Sequence, residues 1–248
     1  MRIDDRVALV GSGFLGFDLT DAFDCHMWAL DAGDGGWVLF DAGAGRDIYR
    51  VLAVCDRDGI PHDRIRDLVL THAHGDHSGG AAHLRERLPH LRVHALPRTA
   101  EIVTTGDEDA ISLTAARAAG IYPLDYVYTP CPVDEVHAAG AELHLGDLVL
   151  TPIPTPGHSH DHHSWLVAAP GKRYLVSGDA LFAGGKLALQ SIWDCSVTEA
   201  IASVERLAEH EFDALLPGHF VFTMDGARRH VDAALEVIAR LGCPPSIF

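Results

Sequence analysis

The sequence lacks the long apolar runs that membrane-spanning and exported proteins carry. No stretch of its 248 residues approaches the roughly 18 consecutive apolar residues that span a bilayer. A secretory signal has a basic start followed by an apolar segment. The N-terminus, Met-Arg-Ile-Asp-Asp-Arg, has no such apolar segment. We therefore expect a cytoplasmic protein that makes no membrane contact.

Cysteine is scarce and shows no pairing pattern. The chain has five cysteines, an odd number, and they are widely spaced without a Cys-x-x-Cys pair. A disulfide framework needs cysteines that can pair, whereas isolated thiols are typical of a reducing compartment. The sequence therefore predicts free thiols at Cys25, Cys55, Cys131, Cys195 and Cys243.

The chain also lacks linkers rich in proline or glycine, low-complexity tracts and internal repeats of useful length. Its hydrophobic content of 48% is ample for a large core, and its 248 residues suit the upper end of the size range of one domain. We predict a single domain over residues 1–248.

Basic residues are outnumbered by acidic ones. The 19 Lys and Arg residues stand against 35 Asp and Glu residues, so the formal net charge is −16. A polyanionic partner would meet long-range repulsion from such a chain. We therefore exclude nucleic acid as a partner and expect a small-molecule substrate, while the composition leaves the oligomeric state open.

What the chain does have is a dense cluster of metal-binding side chains. The residues from Thr71 to Gly80 read Thr-His-Ala-His-Gly-Asp-His-Ser-Gly-Gly, directly after an apolar run that ends at Leu70. Imidazole and carboxylate are the donors that zinc and similar divalent ions prefer, and a turn after a buried strand lets such side chains converge. The pattern predicts a hydrolytic metal site that includes His72, His74, Asp76 and His77.

Four other apolar runs also end in a turn that carries one histidine or aspartate. Because the ends of neighbouring strands meet at one edge of a sheet, these residues are expected to share one site with the cluster. The runs and their terminal residues are 37–40 with Asp41, 148–153 with His158, 174–176 with Asp179 and 214–216 with His219.

These motifs, in this order, resemble those of the metallo-β-lactamase superfamily. The family pattern is Asp-x-Gly, His-x-His-x-Asp-His, a histidine after Pro-Gly, an aspartate after Gly and a final Gly-His, and it is matched here from Asp41 to His219. The resemblance implies an α+β protein with a four-layer αββα sandwich, in which two mixed β-sheets are flanked by helices.

The resemblance also implies a site with two divalent metal ions, zinc in the first place, with iron or manganese as alternatives. Asp41 would orient a ligand imidazole. The implied reaction is hydrolysis of a small-molecule ester, thioester or lactone by a hydroxide that bridges the ions, with Asp76 and Asp179 as catalytic carboxylates. The implied ligands are His72, His74 and His158 for the first ion, Asp76, His77 and His219 for the second, and Asp179 for both.

Within the superfamily the motifs are similar to those of glyoxalase II-type thioester hydrolases and of lactonases. One alternative is a persulfide dioxygenase-like enzyme, which holds a single iron with fewer ligands on a related scaffold. The loop after His158 departs from the family pattern because Asp161 replaces the usual glycine. This departure leaves His160 and His163 as alternative ligands or proton shuttles, whereas His162 matches a histidine expected beside His158.

A second alternative comes from the glycines near the N-terminus. Residues 11–16, Gly-Ser-Gly-Phe-Leu-Gly, follow an apolar run and fit a dinucleotide-binding fingerprint, which requires a helix to begin there. Residues 32–36, Ala-Gly-Asp-Gly-Gly, are instead a strong turn signal. We therefore favour a β-hairpin that joins residues 26–31 to 37–41 over a nucleotide site.

The remaining segments alternate between strand and helix. Helical periodicity covers residues 47–57, 79–88, 98–119, 197–209 and 226–241. Residues 120–137 are irregular and contain three tyrosines and three prolines. We interpret this segment as a packed surface loop, with a lid over the substrate as the alternative.

Overall fold

The computed structural model describes residues 1–33 and 35–248. Asp34, in the predicted turn over residues 32–36, lies outside the described residues. The chain forms two compact units, Met1–His137 and Ala138–Phe248, and each is built on one β-sheet. The single domain over residues 1–248 therefore stays a prediction.

The sheet of the first unit has six strands in chain order. The first three are antiparallel neighbours, and the last four run parallel to one another. Because parallel strands end at the same edge, the third and fourth strands deliver the residues that follow them, Asp41 and Thr71, to one place. The strands are β1 (Val7–Gly11), β2 (Met27–Asp31), β3 (Trp37–Phe40), β4 (Ile65–Val69), β5 (Arg92–Ala95) and β6 (Glu135–Val136).

In the described part of this unit, five α-helices accompany the sheet: α1 (Ile48–Arg57), α2 (Gly75–Ser78), α3 (Ala81–Arg87), α4 (Pro97–Thr105) and α5 (Leu113–Ala118). Helix α1 begins after Asp47, whose side chain accepts a hydrogen bond from the Arg50 N–H. The prediction of one helix over residues 98–119 is wrong in its middle. Helix α4 ends at Thr105 because its C-cap residue, Gly106, adopts a left-handed φ of 69°, a conformation that glycine adopts without steric cost.

Strands β2 and β3 form the predicted hairpin, with Trp28 opposite Phe40. The Ala32 N–H donates to the Gly36 carbonyl at 2.9 Å and closes the connection. Residues 12–26, which the structure describes in full, contain no helix. The helix that a dinucleotide fingerprint requires is therefore missing at these glycines.

The N-terminal glycines instead allow the chain to pack closely against itself. A Cβ atom on Gly13 would lie 2.3 Å from the Ala22 carbonyl oxygen, and one on Gly16 would lie 2.2 Å from Cε1 of His26. The space that a bound pyrophosphate would need beside these glycines is thus taken by residues 22–26. The structure favours the turn interpretation over the nucleotide alternative.

The sheet of the second unit has five strands in the order β11-β10-β9-β8-β7. Strands β7 to β10 are antiparallel neighbours, and β11 pairs parallel to β10. The parallel strands β10 and β11 end side by side, just before Asp179 and at Pro217. Asp179 and His219 therefore follow at the same edge of the sheet. The elements are β7 (Leu143–Leu145), β8 (Leu148–Pro154), β9 (His163–Ala169), β10 (Lys172–Gly178), α6 (Val197–Leu207), β11 (Ala214–Pro217) and α7 (Arg228–Ala239).

Two mixed sheets with accompanying helices confirm the predicted α+β class. In the first unit, Leu68, Val93 and Ile102 belong to one buried apolar core, and in the second Leu175, Val204 and Val231 belong to another. Among residues 1–33 and 35–248, none of the helices combines the length and the apolar character that crossing a bilayer requires.

Candidate metal centre

The predicted ligand cluster of the first unit lies in the turn between β4 and α2. Buried β4 ends at Val69, and α2 begins at Gly75 with His74 as its N-cap. The ring centroids of His72 and His74 are 4.8 Å apart, and those of His72 and His77 are 4.1 Å apart. The turn therefore brings three imidazoles together, as the motif predicted.

Asp41 organises this turn from the end of β3. Its backbone is left-handed, with φ 61°, and its buried carboxylate accepts hydrogen bonds from the Thr71 N–H, the Thr71 hydroxyl and His77 Nδ1, each at 2.8 Å. The family resemblance implied that Asp41 orients the imidazole of a metal ligand. Asp41 does contact the imidazole of a predicted ligand, His77.

These bonds fix which ring nitrogen of each histidine carries the proton. The Thr71 hydroxyl uses its only hydrogen to donate a hydrogen bond to Asp41. It therefore accepts a hydrogen bond from His72 Nδ1, which lies 3.0 Å away. His77 likewise donates from Nδ1, because a carboxylate can only accept. In its neutral form, each of these two imidazoles therefore carries the lone pair on Nε2, the nitrogen through which it can bind a metal ion.

Asp76 contributes a carboxylate to the same group. Its Oδ2 lies 3.5 Å from His77 Nε2, and its Oδ1 accepts a hydrogen bond of 2.7 Å from the Tyr122 hydroxyl. Burial and the nearby charge of Asp76 raise the pKa of Tyr122 well above its usual value, so this hydroxyl stays protonated and acts as the donor.

Two further tyrosines of residues 120–137 form hydrogen bonds in and around the turn that carries the predicted ligands. The Tyr126 hydroxyl donates to the carbonyls of Ala44 and Gly75, at 2.9 and 3.1 Å, and the Tyr128 hydroxyl lies 2.7 Å from Ser78 Oγ. All three tyrosines are buried, whereas the neighbouring Ile121, Leu124 and Val127 are exposed. The structure favours the packed-loop interpretation of residues 120–137 over a lid.

Cys25 is a neighbour of the cluster that the sequence did not indicate. Its thiol lies among possible metal-binding atoms of Asp41 and His77, and burial raises the pKa of Cys25 to about 12. A thiol with this pKa is neutral at physiological pH as long as no cation contacts it. No spacing pattern in the sequence could have placed Cys25 here, because it precedes β2 as an isolated cysteine.

Asp24 holds the segment before β2 against the turn after β3. Its carboxylate accepts hydrogen bonds from the Thr20 hydroxyl at 2.6 Å and from the Ala44 N–H at 2.8 Å. Burial raises the pKa of Asp24 from 3.8 to about 6, and these hydrogen bonds only partly oppose the rise. The folded protein therefore binds this proton more tightly than the unfolded chain does.

The free energy of unfolding of Asp24→Asn is expected to increase relative to that of the wild type as the pH rises. Stability that comes from the neutral carboxyl is complete below about pH 4 and is lost as the pH rises through about 6. The amide is neutral throughout, so the variant should gain about 2 kcal/mol relative to the wild type between about pH 4 and about pH 7. Urea denaturation at several pH values measures the difference.

The control for this experiment is Asp5→Asn, at an exposed position. Its free energy of unfolding should follow that of the wild type across the pH range. If Asp24→Asn also followed the wild type, the carboxyl would not titrate as the burial of Asp24 requires.

In the second unit, Asp179 lies between two of the predicted ligands. Its Oδ2 is 3.5 Å from Nε2 of His158 and 3.5 Å from Nε2 of His219. His158 Nδ1 is 3.1 Å from the Ala188 carbonyl, which can only accept, so in the neutral imidazole Nε2 of His158 carries the lone pair. All three residues are buried. The segments that follow β8, β10 and β11 thus bring together His158, Asp179 and His219, as predicted.

His162 supports Asp179 through the backbone. The Asp179 N–H donates to His162 Nε2 at 3.0 Å, so His162 Nδ1 carries the proton and donates to Thr155 Oγ1 at 2.9 Å. Thr155 then donates to Ser164 Oγ at 2.9 Å, and Ser164 donates to the Ser177 carbonyl at 3.2 Å. The chain of donors has one direction only, which fixes the neutral form of His162.

His160, Asp161 and His163, in the loop after His158, make other contacts than His158 and His162 do. His160 is exposed, with its ring against Trp193 at 5.0 Å, and the buried His163 ring packs against Trp165 at 5.4 Å. Asp161, which replaces the usual glycine, accepts a hydrogen bond of 2.7 Å from the Ser159 hydroxyl. This local bond accommodates the substitution within the turn.

Comparisons with known proteins agree with these observations. The family model described as Metallo-beta-lactamase superfamily matches residues 20–219. A hydroxyacylglutathione hydrolase of Xanthomonas axonopodis pv. citri (strain 306) is 29% identical over 219 residues, which cover 88% of this chain and 69% of that protein. One of Stenotrophomonas maltophilia (strain R551-3) is 28% identical over 223 residues, with coverages of 87% and 69%.

Solved structures show the same fold. A metallo-beta-lactamase of Cronobacter sakazakii superimposes with a TM-score of 0.72 at 22% identity, covering 97% of this chain and 96% of that one. A subclass B3 metallo-beta-lactamase of Bradyrhizobium japonicum also gives a TM-score of 0.72, at 19% identity, with coverages of 97% and 91%.

Proposed function

This chain belongs to the metallo-β-lactamase superfamily and is a hydrolase, and we propose that it uses two divalent metal ions to cleave a small-molecule ester, thioester or lactone. The observation that carries the proposal is the hydrogen-bond pattern of the histidines. In each unit Nδ1 of a predicted ligand lies against an oxygen acceptor, at His72, His77 and His158, which in the neutral imidazole leaves the lone pair on Nε2.

The chemistry of the donors fits zinc. Imidazole nitrogen and carboxylate oxygen suit zinc, manganese and ferrous iron. Following the order of the family motifs, we propose that the first ion is held by His72, His74 and His158, the second by Asp76, His77 and His219, and both by Asp179.

The ions would supply the Lewis acidity that activates a water nucleophile and polarises the carbonyl group of the substrate. The chain itself supplies orientation. Asp41 holds the His77 ring through Nδ1, and the His162 ring holds the Asp179 backbone. Ser159 and Ser164 both give their protons to neighbouring acceptors, so neither is arranged as a nucleophile with a histidine base.

Among the three substrate classes, we propose thioesters first. The two relatives above are named for hydrolysis of a hydroxyacylglutathione, which is a thioester, and this chain spans 69% of their length. The net charge of −16 supports a small molecule over nucleic acid. We also propose a cytoplasmic location, which the five free cysteines support.

Elemental analysis of protein purified without added metal is expected to find about two ions per chain, because the donors form two sets that share Asp179. Removal of the ions with a chelator should abolish hydrolysis, and zinc should restore it. A parallel screen of thioester, lactone and phosphodiester substrates identifies the class.

A fully active sample with one ion per chain would contradict the two-ion site. One iron per chain, with no hydrolysis of any ester or thioester, would instead support the dioxygenase-like alternative. Turnover of phosphodiesters alone would overturn the proposed substrate classes.

A further inference from the structure

We propose that Tyr122 is a positioning residue for the second metal ion, which it serves by fixing the orientation of the Asp76 carboxylate. The inference rests on the proposed two-ion site, in which Asp76 is a ligand of that ion. Tyr122 lies 46 residues from Asp76 in the sequence, and its hydroxyl donates to Asp76 Oδ1 at 2.7 Å.

The hydrogen bond divides the two carboxylate oxygens between two tasks. Oδ1 accepts the hydrogen bond from the Tyr122 hydroxyl, while Oδ2 lies 3.5 Å from Nε2 of His77. The Asp76 side chain is 21% exposed, more than the other predicted ligands in its turn. An aspartate with this exposure would otherwise sample several rotamers, so the tyrosine selects the one that faces His77.

The Tyr122 ring is itself held by two aromatic neighbours. It stacks on Tyr126 with ring centroids 4.9 Å apart and on Phe23 at 6.0 Å. Tyr126 is fixed by its bonds to the carbonyls of Ala44 and Gly75. Arg117 of α5 donates to the Tyr126 carbonyl and pairs with Glu108, which ties this loop to the helix before it.

The three tyrosines differ in what their hydroxyl groups contact. Tyr126 bonds backbone carbonyls and Tyr128 bonds the Ser78 hydroxyl, so both hold the fold of the turn. The Tyr122 hydroxyl, in contrast, bonds the side chain of a predicted ligand, Asp76. Groups that orient a ligand in this way commonly change metal affinity by about 10–100-fold when removed.

The test compares Tyr122→Phe with Tyr128→Phe in the full-length, zinc-loaded protein. Each variant removes one buried hydroxyl and keeps the ring, so both should fold. Zinc release is followed as a chromophoric chelator is added. We expect Tyr122→Phe to release one of its two ions at about 10-fold lower chelator concentration than the wild type, with the other ion unchanged. Tyr128→Phe should release both ions as the wild type does.

A double-mutant cycle shows whether Tyr122 acts through Asp76. In an Asp76→Asn background, Tyr122→Phe should cause no further loss of zinc affinity, because the group that the hydroxyl orients has already been changed. Additive losses would overturn the inference, as would equal losses in Tyr122→Phe and Tyr128→Phe or unchanged release from Tyr122→Phe. A wild-type protein that binds only one ion would instead contradict the proposed function.

Discussion

Asp179→Asn is expected to release at least one metal ion and to lower the rate of hydrolysis by roughly 10³-fold. The Asp179 carboxylate is buried, and one oxygen lies 3.5 Å from Nε2 of both His158 and His219. An uncharged amide cannot balance two cations at a shared position, and Lewis-acid stabilisation contributes several kcal/mol to such reactions. Elemental analysis together with initial rates on the best substrate measures both effects.

The matched control is Asp161→Asn in the same unit. The Asp161 carboxylate accepts a hydrogen bond from Ser159 and is partly exposed, so its loss should change activity only mildly. Similar losses of metal and activity in the two variants would show that the loop after His158, and not the shared carboxylate, determines metal binding.

Asp41→Asn is expected to weaken metal binding and activity by about 10–100-fold, although position 41 contacts no predicted substrate. The left-handed φ of 61° at this position is one that asparagine also adopts readily, so the backbone should be preserved. The amide group presents an N–H where His77 Nδ1 now donates. His77 is then favoured in the form that carries its proton on Nε2, which removes the lone pair from the metal side.

Two measurements test this prediction. The metal content falls if Nε2 is lost as a donor, and long-range ¹H–¹⁵N spectra of the metal-free protein report which nitrogen of His77 is protonated. Asp67→Asn is the control, because Asp67 is also a buried carboxylate that accepts from an imidazole, His94 Nε2, at 2.9 Å. This control should lose stability but keep its metal. Unchanged metal content in Asp41→Asn would sink the argument from protonation.

The strands that carry the predicted ligands could be located from the sequence because their signal is local. The apolar run 37–40 is β3, and the runs 148–153, 174–176 and 214–216 lie inside β8, β10 and β11. A buried parallel strand is a continuous apolar segment, and the residue after it must turn away at the sheet edge. The family resemblance, which the matched model over residues 20–219 confirms, came from the same positions.

The parts that the sequence did not predict depend on contacts between distant residues. The Tyr122 hydroxyl reaches Asp76, and Asp24 reaches the Ala44 N–H, without any periodic pattern that links the partners. The break in the helix predicted over 98–119 has a local cause, since Gly106 takes up a left-handed conformation, but a lone glycine within a helical pattern is an ambiguous signal. Hydrogen-bond partners of buried polar groups therefore required the structure.

The direction of the strands separates the parts of this chain that can vary in length from the parts that cannot. Asp41 follows the carboxyl end of β3, whereas the hairpin connection at residues 32–36 precedes its amino end. In the second unit, Asp179 follows β10, and the connection at residues 170–171 precedes it. An inserted peptide or a fluorescent label at either connection would be a strand length away from the predicted ligands of its own unit. These two turns are therefore the natural attachment points for engineering the protein.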